Sequence, residues 1–372
     1  MLSDPLPAIA ALKRRTEKFL AERGARLKLA LKNRLAPLAG LGQAPRSAPA
    51  VPNNSAFRIL CLIDLIQDVE TILPVAETLR AAGGFDVEIC LTTWLETIAP
   101  DSPRRVRASG FTPILVARKE QDLIGVLNTR QFDAVITASE STAAAHRFAH
   151  ALVNRANDLG LATFTLQHGL ENLGLTSLLD GVQEFASQHI LTWGAPDGLP
   201  SWLPPQRRRR CIGIGRIQSP DLSVPPEPLP VQIASPIVAV FENLHWERYN
   251  EAYVRSFLDD LAAVIRARPD LTFVVKPHPA GRWLTQNQNA LDRDAPNLIV
   301  ADPTSETWRG LTAINLIRHA QKVITTPSSV ALDAAQCGVS PAVAAYHLDL
   351  PAYAPLPLLR GLEDWRTFLD GP

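Results

Sequence analysis

Four short stretches set histidine, serine or carboxylate side chains directly after apolar runs of strand character. In "VVKPHPAGRW" (274–283), His278 stands between Pro277 and Pro279, which fix the backbone and hold the ring at a strand's carboxyl end. Lys276 and Arg282 on either side would complete a cationic pocket suited to phosphate. The plainer alternative is a constrained core histidine with two solvated cations. In "TLQHGLENLG" (165–174), Gly169 permits a tight turn that exposes His168, and Glu171 lies close enough to raise its pKa or to act as a base itself. In "VFENLHWER" (240–248), Glu242 follows a buried strand, where it is either a base or a structural group capping the next helix or pairing with Arg248. In "VITTPSSVALDAAQCG" (323–338), Pro327 turns the chain and Ser328 and Ser329 open a helix, offering hydroxyls, free N–H groups and a positive dipole end to an anion. Serine as a simple helix cap is the alternative.

The elements that must position these groups read as two α/β units. Apolar runs at 57–64, 85–92, 112–117, 133–138 and 161–167 alternate with helical patterns at 70–82, 93–99, 120–130 and 142–159, and runs at 189–194 and 211–215 extend the series. Such alternation predicts a parallel, doubly wound sheet. A Pro-rich segment, 219–236, reads as the crossing between domains. The pattern restarts with strands at 237–242, 271–277, 297–302, 322–327 and 341–346 and helices at 250–267, 307–320 and 330–337. The expected domains are thus 57–218 and 219–372, two facing Rossmann-like halves with the candidate loops at their strand ends. Ligands of open α/β sheets bind at those ends.

Residues 1–56 differ. Nine cations against three acids fall within the first 34 residues, and Leu12, Phe19, Leu20, Leu27, Leu31 and Leu35 recur at helical spacing, so 8–36 reads as a basic amphipathic helix. It suits either an anionic membrane surface or packing on a protein body. A Pro/Ala/Gly linker, 36–56, follows.

Over all 372 residues, Lys plus Arg and Asp plus Glu are both 37, so no global field points to nucleic acid; a nucleic-acid binder would rest on the Arg207–Arg210 run, which reads instead as a solvated loop that could reach anionic lipid or a polyanionic acceptor. Four cysteines without C-x-x-C spacing read as buried free thiols of a reducing compartment. The eight histidines show no metal-ligand spacing. No apolar run reaches 18 residues and no signal-peptide core opens the chain, which points to the cytoplasm, with peripheral contact at the inner membrane face through 8–36.

"KPHP" followed by "SSVALDAAQCG" resembles the HP and SS motifs of the GT-B glycosyltransferases that build bacterial surface polymers, the capsule-polysaccharide, polysialyltransferase and CDP-glycerol glycerophosphotransferase group. The resemblance implies that His278, Ser328 and Ser329 hold donor phosphates and that Asp333 orients the serines or reaches a donor hydroxyl. "QHG" is similar to a His-Gly of the CDP-glycerol branch and points to His168 as base, whereas "ENLG" departs from the acidic pair of the polysialyltransferases, which leaves Glu171 less well matched. The implied reaction uses a CMP-, CDP- or UDP-activated donor and a polysaccharide or lipid-linked acceptor, with His168, Glu171 or Glu242 as base. No D-x-D occurs in the candidate loops, in keeping with an expectation of no metal and no cofactor. The competing readings are a UDP-sugar 2-epimerase on the same fold and a noncatalytic subunit of a polysaccharide assembly system.

Overall fold

The computed structural model describes residues 56–138, 140–170, 185–199, 203–216, 222–233, 236–246, 248–279 and 281–371, with the backbone alone of 175–178 and 181–184. The expected helix 8–36, the linker 36–56 and Glu171 lie outside the described residues. The chain divides into two compact units at 218/219, with 169–171 and 178–181 grouped with the second.

The first unit has a seven-stranded parallel sheet. Its strands are β1 (Phe57–Ile63), β2 (Phe85–Thr92), β3 (Ile114–Val116), β4 (Ala134–Thr137), β5 (Ala162–Leu166), β8 (His189–Thr192) and β9 (Cys211–Gly213). The two short strands between them, β6 (Leu175–Leu178) and β7 (Gly181–Glu184), form a separate two-stranded sheet. The order is β3-β2-β1-β4-β5-β8-β9. Strand alternation explains the layers: Ile59, Cys61 and Ile63 face the helix Ile66–Ala82, through Val69, Ile72 and Ala76, while Leu60 and Leu62 face the helices Glu120–Thr129 and Arg147–Asp158, through Leu123 and Leu152. Both faces of β1 are covered, which is why its sequence is a near-continuous apolar run.

The second unit repeats this plan in six parallel strands, β10 (Ile237–Glu242), β11 (Thr272–Pro277), β12 (Leu298–Val300), β13 (Lys322–Thr325), β14 (Ser340–Ala344) and β15 (Leu358–Leu359), in the order β12-β11-β10-β13-β14-β15. Val238 and Val240 pack with the helices Glu251–Ala267 and Leu362–Asp370; Ile237, Ala239 and Phe241 pack with the helices Ala313–His319 and Val330–Gln336. In each sheet the first strand lies in the middle and the order reverses beside it, at β1/β4 and at β10/β13. These reversals open the crevices where doubly wound sheets take ligands.

Several elements differ from the sequence reading. The helix expected over 307–320 begins only at Ala313, because the Thr312 side chain accepts the Asn315 N–H and caps it there; Trp308 and Leu311 are buried from turns instead. The helix expected from 142 begins at Arg147, since Ser141 takes the Ala143 N–H in a turn. The helix Asp101–Ala108, the strand β15 and the helix Leu362–Asp370 were not anticipated. Arg208 and Arg210 are not a simple solvated run: Arg208 donates to the carbonyls of Pro196 and Leu199, and Arg210 to those of Phe185 and Ser187. Cys61, Cys90 and Cys211 are buried free thiols, and burial pushes Cys61 and Cys90 up to about 12. Among the described residues, no helix is long and apolar enough to cross a membrane.

Candidate functional site

In the second unit three loops meet at the carboxyl ends of β10, β11 and β13, and backbone accounting shows what joins them. Glu242 ends β10, is 2% exposed, and both its oxygens accept main-chain N–H groups, Oε2 from Leu244 at 2.8 Å and Oε1 from Leu284 at 3.2 Å. Its carbonyl accepts the His278 N–H at 2.8 Å. Asn243 bridges to the third loop: its side-chain oxygen accepts the Thr326 hydroxyl at 2.5 Å, its N–H donates to Thr326 Oγ1 at 3.1 Å, and its amide donates to the Pro327 carbonyl at 3.3 Å. Burial raises the Glu242 pKa, and the two N–H donors act against that. This is the geometry of a tether between loops, with each Glu242 oxygen already engaged by a main-chain donor.

On this frame hang the cationic and imidazole groups. Strand alternation puts Lys276 on the same face as Val274, the face covered by the helices Ala313–His319 and Val330–Gln336. Lys276 is only 9% exposed and has no hydrogen-bonding or ion-pairing partner among the described residues; burial lowers its pKa. His278 follows after Pro277, with its ring 5.0 Å from that of His245, centroid to centroid. Crowding by the loop, then His245 and Lys276, lowers its pKa, though the residue as a whole is exposed and the effect is softened accordingly. His245 is half-buried, its Nδ1 is fully enclosed without a hydrogen-bond partner, and burial lowers its pKa too.

Two backbone features hold this arrangement. Arg282 is left-handed (φ 51°, ψ 38°), a conformation that costs a non-glycine residue about 1 kcal/mol. Its N–H donates to the His278 carbonyl at 2.9 Å, so the "PHPAGR" turn closes on itself, and the Arg282 side chain is exposed. At Gly281 a Cβ would lie 1.9 Å from His245 Cγ and Nδ1, so only glycine lets the histidine ring rest against this turn.

Ser328 and Ser329 are half-buried at the start of the helix Val330–Gln336. Ser328 Oγ accepts the Val330 N–H at 3.3 Å, while the Ser329 hydroxyl makes no capping bond. The helix has seven residues, too short for its dipole to weigh much, so the serines' own hydroxyls and N–H groups are what the segment offers. Asp333 lies half-buried one turn further on, and its N–H donates to the Ser329 carbonyl.

The first unit also gathers polar residues at its strand ends. His168 follows β5 and its Nδ1 lies 2.8 Å from the Ala138 carbonyl; a carbonyl only accepts, so Nδ1 carries the proton and Nε2 the lone pair. Burial pushes this half-buried imidazole down to about 4, against the pull of that hydrogen bond. His146 stands edge-to-face at 5.7 Å, its Nδ1 is 2.8 Å from Ser141 Oγ, and burial, then His168 and Arg118, pushes it down to about 3.

Three further groups here, Glu140, Asp64 and Arg118, escaped the sequence reading. Fully buried Glu140 accepts from Ala186 N–H at 2.8 Å, from the Ser187 and Thr165 hydroxyls at 3.1 and 3.2 Å, and pairs with His150 Nδ1 at 2.6 Å. Fully buried Asp64 forms a two-point pair with Arg118 at 2.9 and 3.0 Å. All three stand after apolar strand runs, the signal that singled out His278. Among the described residues, no group of three or more His, Cys, Asp or Glu side chains could hold a metal ion.

The fold and the placement of these loops define a class, two doubly wound α/β units of GT-B architecture. Solved structures of that architecture are similar to this chain. UDP-GlcNAc 2-epimerase from Methanocaldococcus jannaschii superposes with a TM-score of 0.57 at 11% identity, over 85% of this chain and 92% of that one. UDP-GlcNAc 2-epimerase from Neisseria meningitidis, bound to UDP-GlcNAc, gives 0.54 at 12% identity, over 85% and 92%. The glycosyltransferase SnogD from Streptomyces nogalater gives 0.51 at 18% identity, over 85% and 90%. No family model and no curated protein matches the sequence.

Proposed function

We propose that this chain is a metal-independent, nucleotide-sugar-dependent glycosyltransferase, moving a sugar or polyol phosphate from a CMP-, CDP- or UDP-activated donor to a surface-polysaccharide or lipid-linked acceptor. One observation carries the reading: Lys276 is buried at a strand end, beside the sheet's order reversal, without any partner for its charge among the described residues. A cation held largely out of water with no counter-ion is destabilising, and a bound phosphate would relieve that. His278, with Ser328 and Ser329, supplies further donors to the same anion, and Asp333 orients the serines. Arg282, on the exposed side of the turn, reaches the phosphate's outer oxygens.

In glycosyl transfer the acceptor hydroxyl oxygen bonds to the sugar's anomeric carbon as the carbon–oxygen bond to phosphate breaks. The bonding pair leaves with the phosphate, where Lys276 and its neighbours stabilise the added charge. His168 is the group we assign to the acceptor proton, because its Nε2 holds the lone pair and burial keeps the ring neutral. Glu242 is the weaker candidate, since both oxygens are committed to the backbone.

The test is to incubate the protein with CMP-, CDP- and UDP-sugars plus lipid-linked or polysaccharide acceptors and follow nucleotide release and label transfer. One donor should support transfer, insensitive to chelator and lost in His278→Ala. A second reading, C2 epimerisation of a UDP-sugar, draws on the likeness of fold to the two epimerase structures. Solvent deuterium appearing at C2 without an acceptor would select it and reject transfer.

A further inference from the structure

We infer that Trp246 is the platform on which the donor's base stacks, so that the second unit grips a nucleotide at two points, phosphate at Lys276 and base at Trp246. This rests on the phosphate-site reading above and adds to it the part of the ligand that carries the ring.

Six large hydrophobic residues are strongly exposed among the described residues, and Trp246, at 38%, is the one aromatic side chain in the set. Single exposed hydrophobics are ordinary on protein surfaces. What sets Trp246 apart is its place. Its ring lies 6.4 Å from that of His245, at 79°, and His245 in turn lies 5.0 Å from His278, at 36°. A row of three rings therefore runs from the turn that follows Lys276 to Trp246.

The loop bearing Trp246 is tied down. Its N–H donates to the Asn243 carbonyl at 3.1 Å, its carbonyl accepts from Tyr249 at 3.0 Å, and Glu242 and Asn243 fasten the loop's start as described above. A ring held out in solvent on a fixed loop loses little freedom when a flat partner covers it. The absence of a side chain at Gly281 completes the geometry. Any Cβ there would strike His245 and push the His245–Trp246 pair away from the cationic end, so glycine sets the spacing between the anion's grip and the ring's.

Base stacking on an aromatic ring contributes affinity whichever base is present, because every base has a π-face. The row of rings thus explains binding of a nucleotide and leaves the choice among bases to other contacts. A protein partner covering Trp246 would leave it just as exposed in the free chain, and the experiment separates the two.

Isothermal titration would compare pyrophosphate with cytidine and uridine diphosphates on the intact chain, Trp246→Ala and Trp246→Phe. The inference expects Trp246→Ala to weaken the preferred nucleoside diphosphate about ten-fold or more while pyrophosphate changes less than about two-fold. Trp246→Phe should keep most of the affinity but lose the quenching of tryptophan fluorescence expected when nucleotide is added to the intact protein. Equal affinity of Trp246→Ala and intact protein for the nucleotide overturns the inference alone, as does a nucleoside that adds nothing to pyrophosphate binding. Failure of the intact protein to bind either probe overturns the phosphate site itself and the inference with it. Urea unfolding of Trp246→Ala, expected to match the intact chain because the ring is exposed, guards against misfolding as the cause.

Discussion

The strand ends of the first unit and those of the second are built from similar residues and solve opposite problems. In the first, the buried carboxylates and their neighbours answer one another: Asp64 holds Arg118, Glu140 holds His150, Ser187 and Thr165, and Ser141 holds His146. In the second, the partnered groups Glu242, Asn243 and Thr326 serve the backbone, while among the described residues neither the largely buried Lys276 nor the enclosed His245 Nδ1 has a partner. A satisfied network contributes stability and rigidity, whereas an unsatisfied one holds free energy that a ligand can release. Removing a charge should therefore harm folding in the first unit and ligand binding in the second.

The largest effect should come from Asp64→Ala. It strands the Arg118 guanidinium, which is also packed over Trp94 at 4.3 Å, and should destabilise the protein by about 3 kcal/mol in urea unfolding, the lower end of the range for broken buried pairs. Lys276→Met is the counterpart. Stability should stay level or rise, because an unpaired buried ammonium is replaced by an apolar chain of similar length, while pyrophosphate affinity falls by roughly 1.5–3 kcal/mol, the worth of a hydrogen bond to a charged group. A large loss of stability in Lys276→Met would erase the contrast between the units.

Gly281→Ala should cost about 1–3 kcal/mol of stability by overpacking against His245, with ligand affinity falling alongside. The double variant Gly281→Ala/His245→Ala should recover the stability, and denaturation midpoints of the three proteins check this. A further check is a pH slope. His146 and His168 titrate at about 3 and 4 when folded, against 6.5 for a free histidine, so the unfolded chain binds more protons below pH 6.5. Stability should fall as pH drops from 7 towards 5 and be flat just above 7. His168→Gln should make the fall shallower, a comparison to make by urea midpoints at each pH.

How much of this was legible in the sequence follows from what each feature depends on. Buried parallel strands such as "IVAVFE" and "FRILCLI" announce themselves, because both faces are covered and the run has no polar interruption. The helix Asp101–Ala108 could not be read so. Of its eight residues only Ser102, Pro103 and Val106 are buried, and three arginines break any apolar stripe. The His278 turn was readable because two prolines mark it. Glu242 was readable as a residue but not as a role, since the Leu284 N–H that engages it lies 42 positions away. Glu140 and Asp64 were passed over for the same reason, their partners being up to 47 and 54 residues distant. Lys276 shows the converse, for a missing partner becomes visible only when every neighbour is in place.

The central claim is that the second unit holds an anion at Lys276, and calorimetric titration of the intact protein and Lys276→Met with pyrophosphate and with cytidine and uridine diphosphates tests it most directly. The account predicts binding of pyrophosphate and of at least one nucleotide by the intact protein, with proton uptake at neutral pH as the depressed His278 pKa rises, and a loss of roughly ten-fold or more in the variant. Equal binding by Lys276→Met, or none by the intact protein, would contradict it.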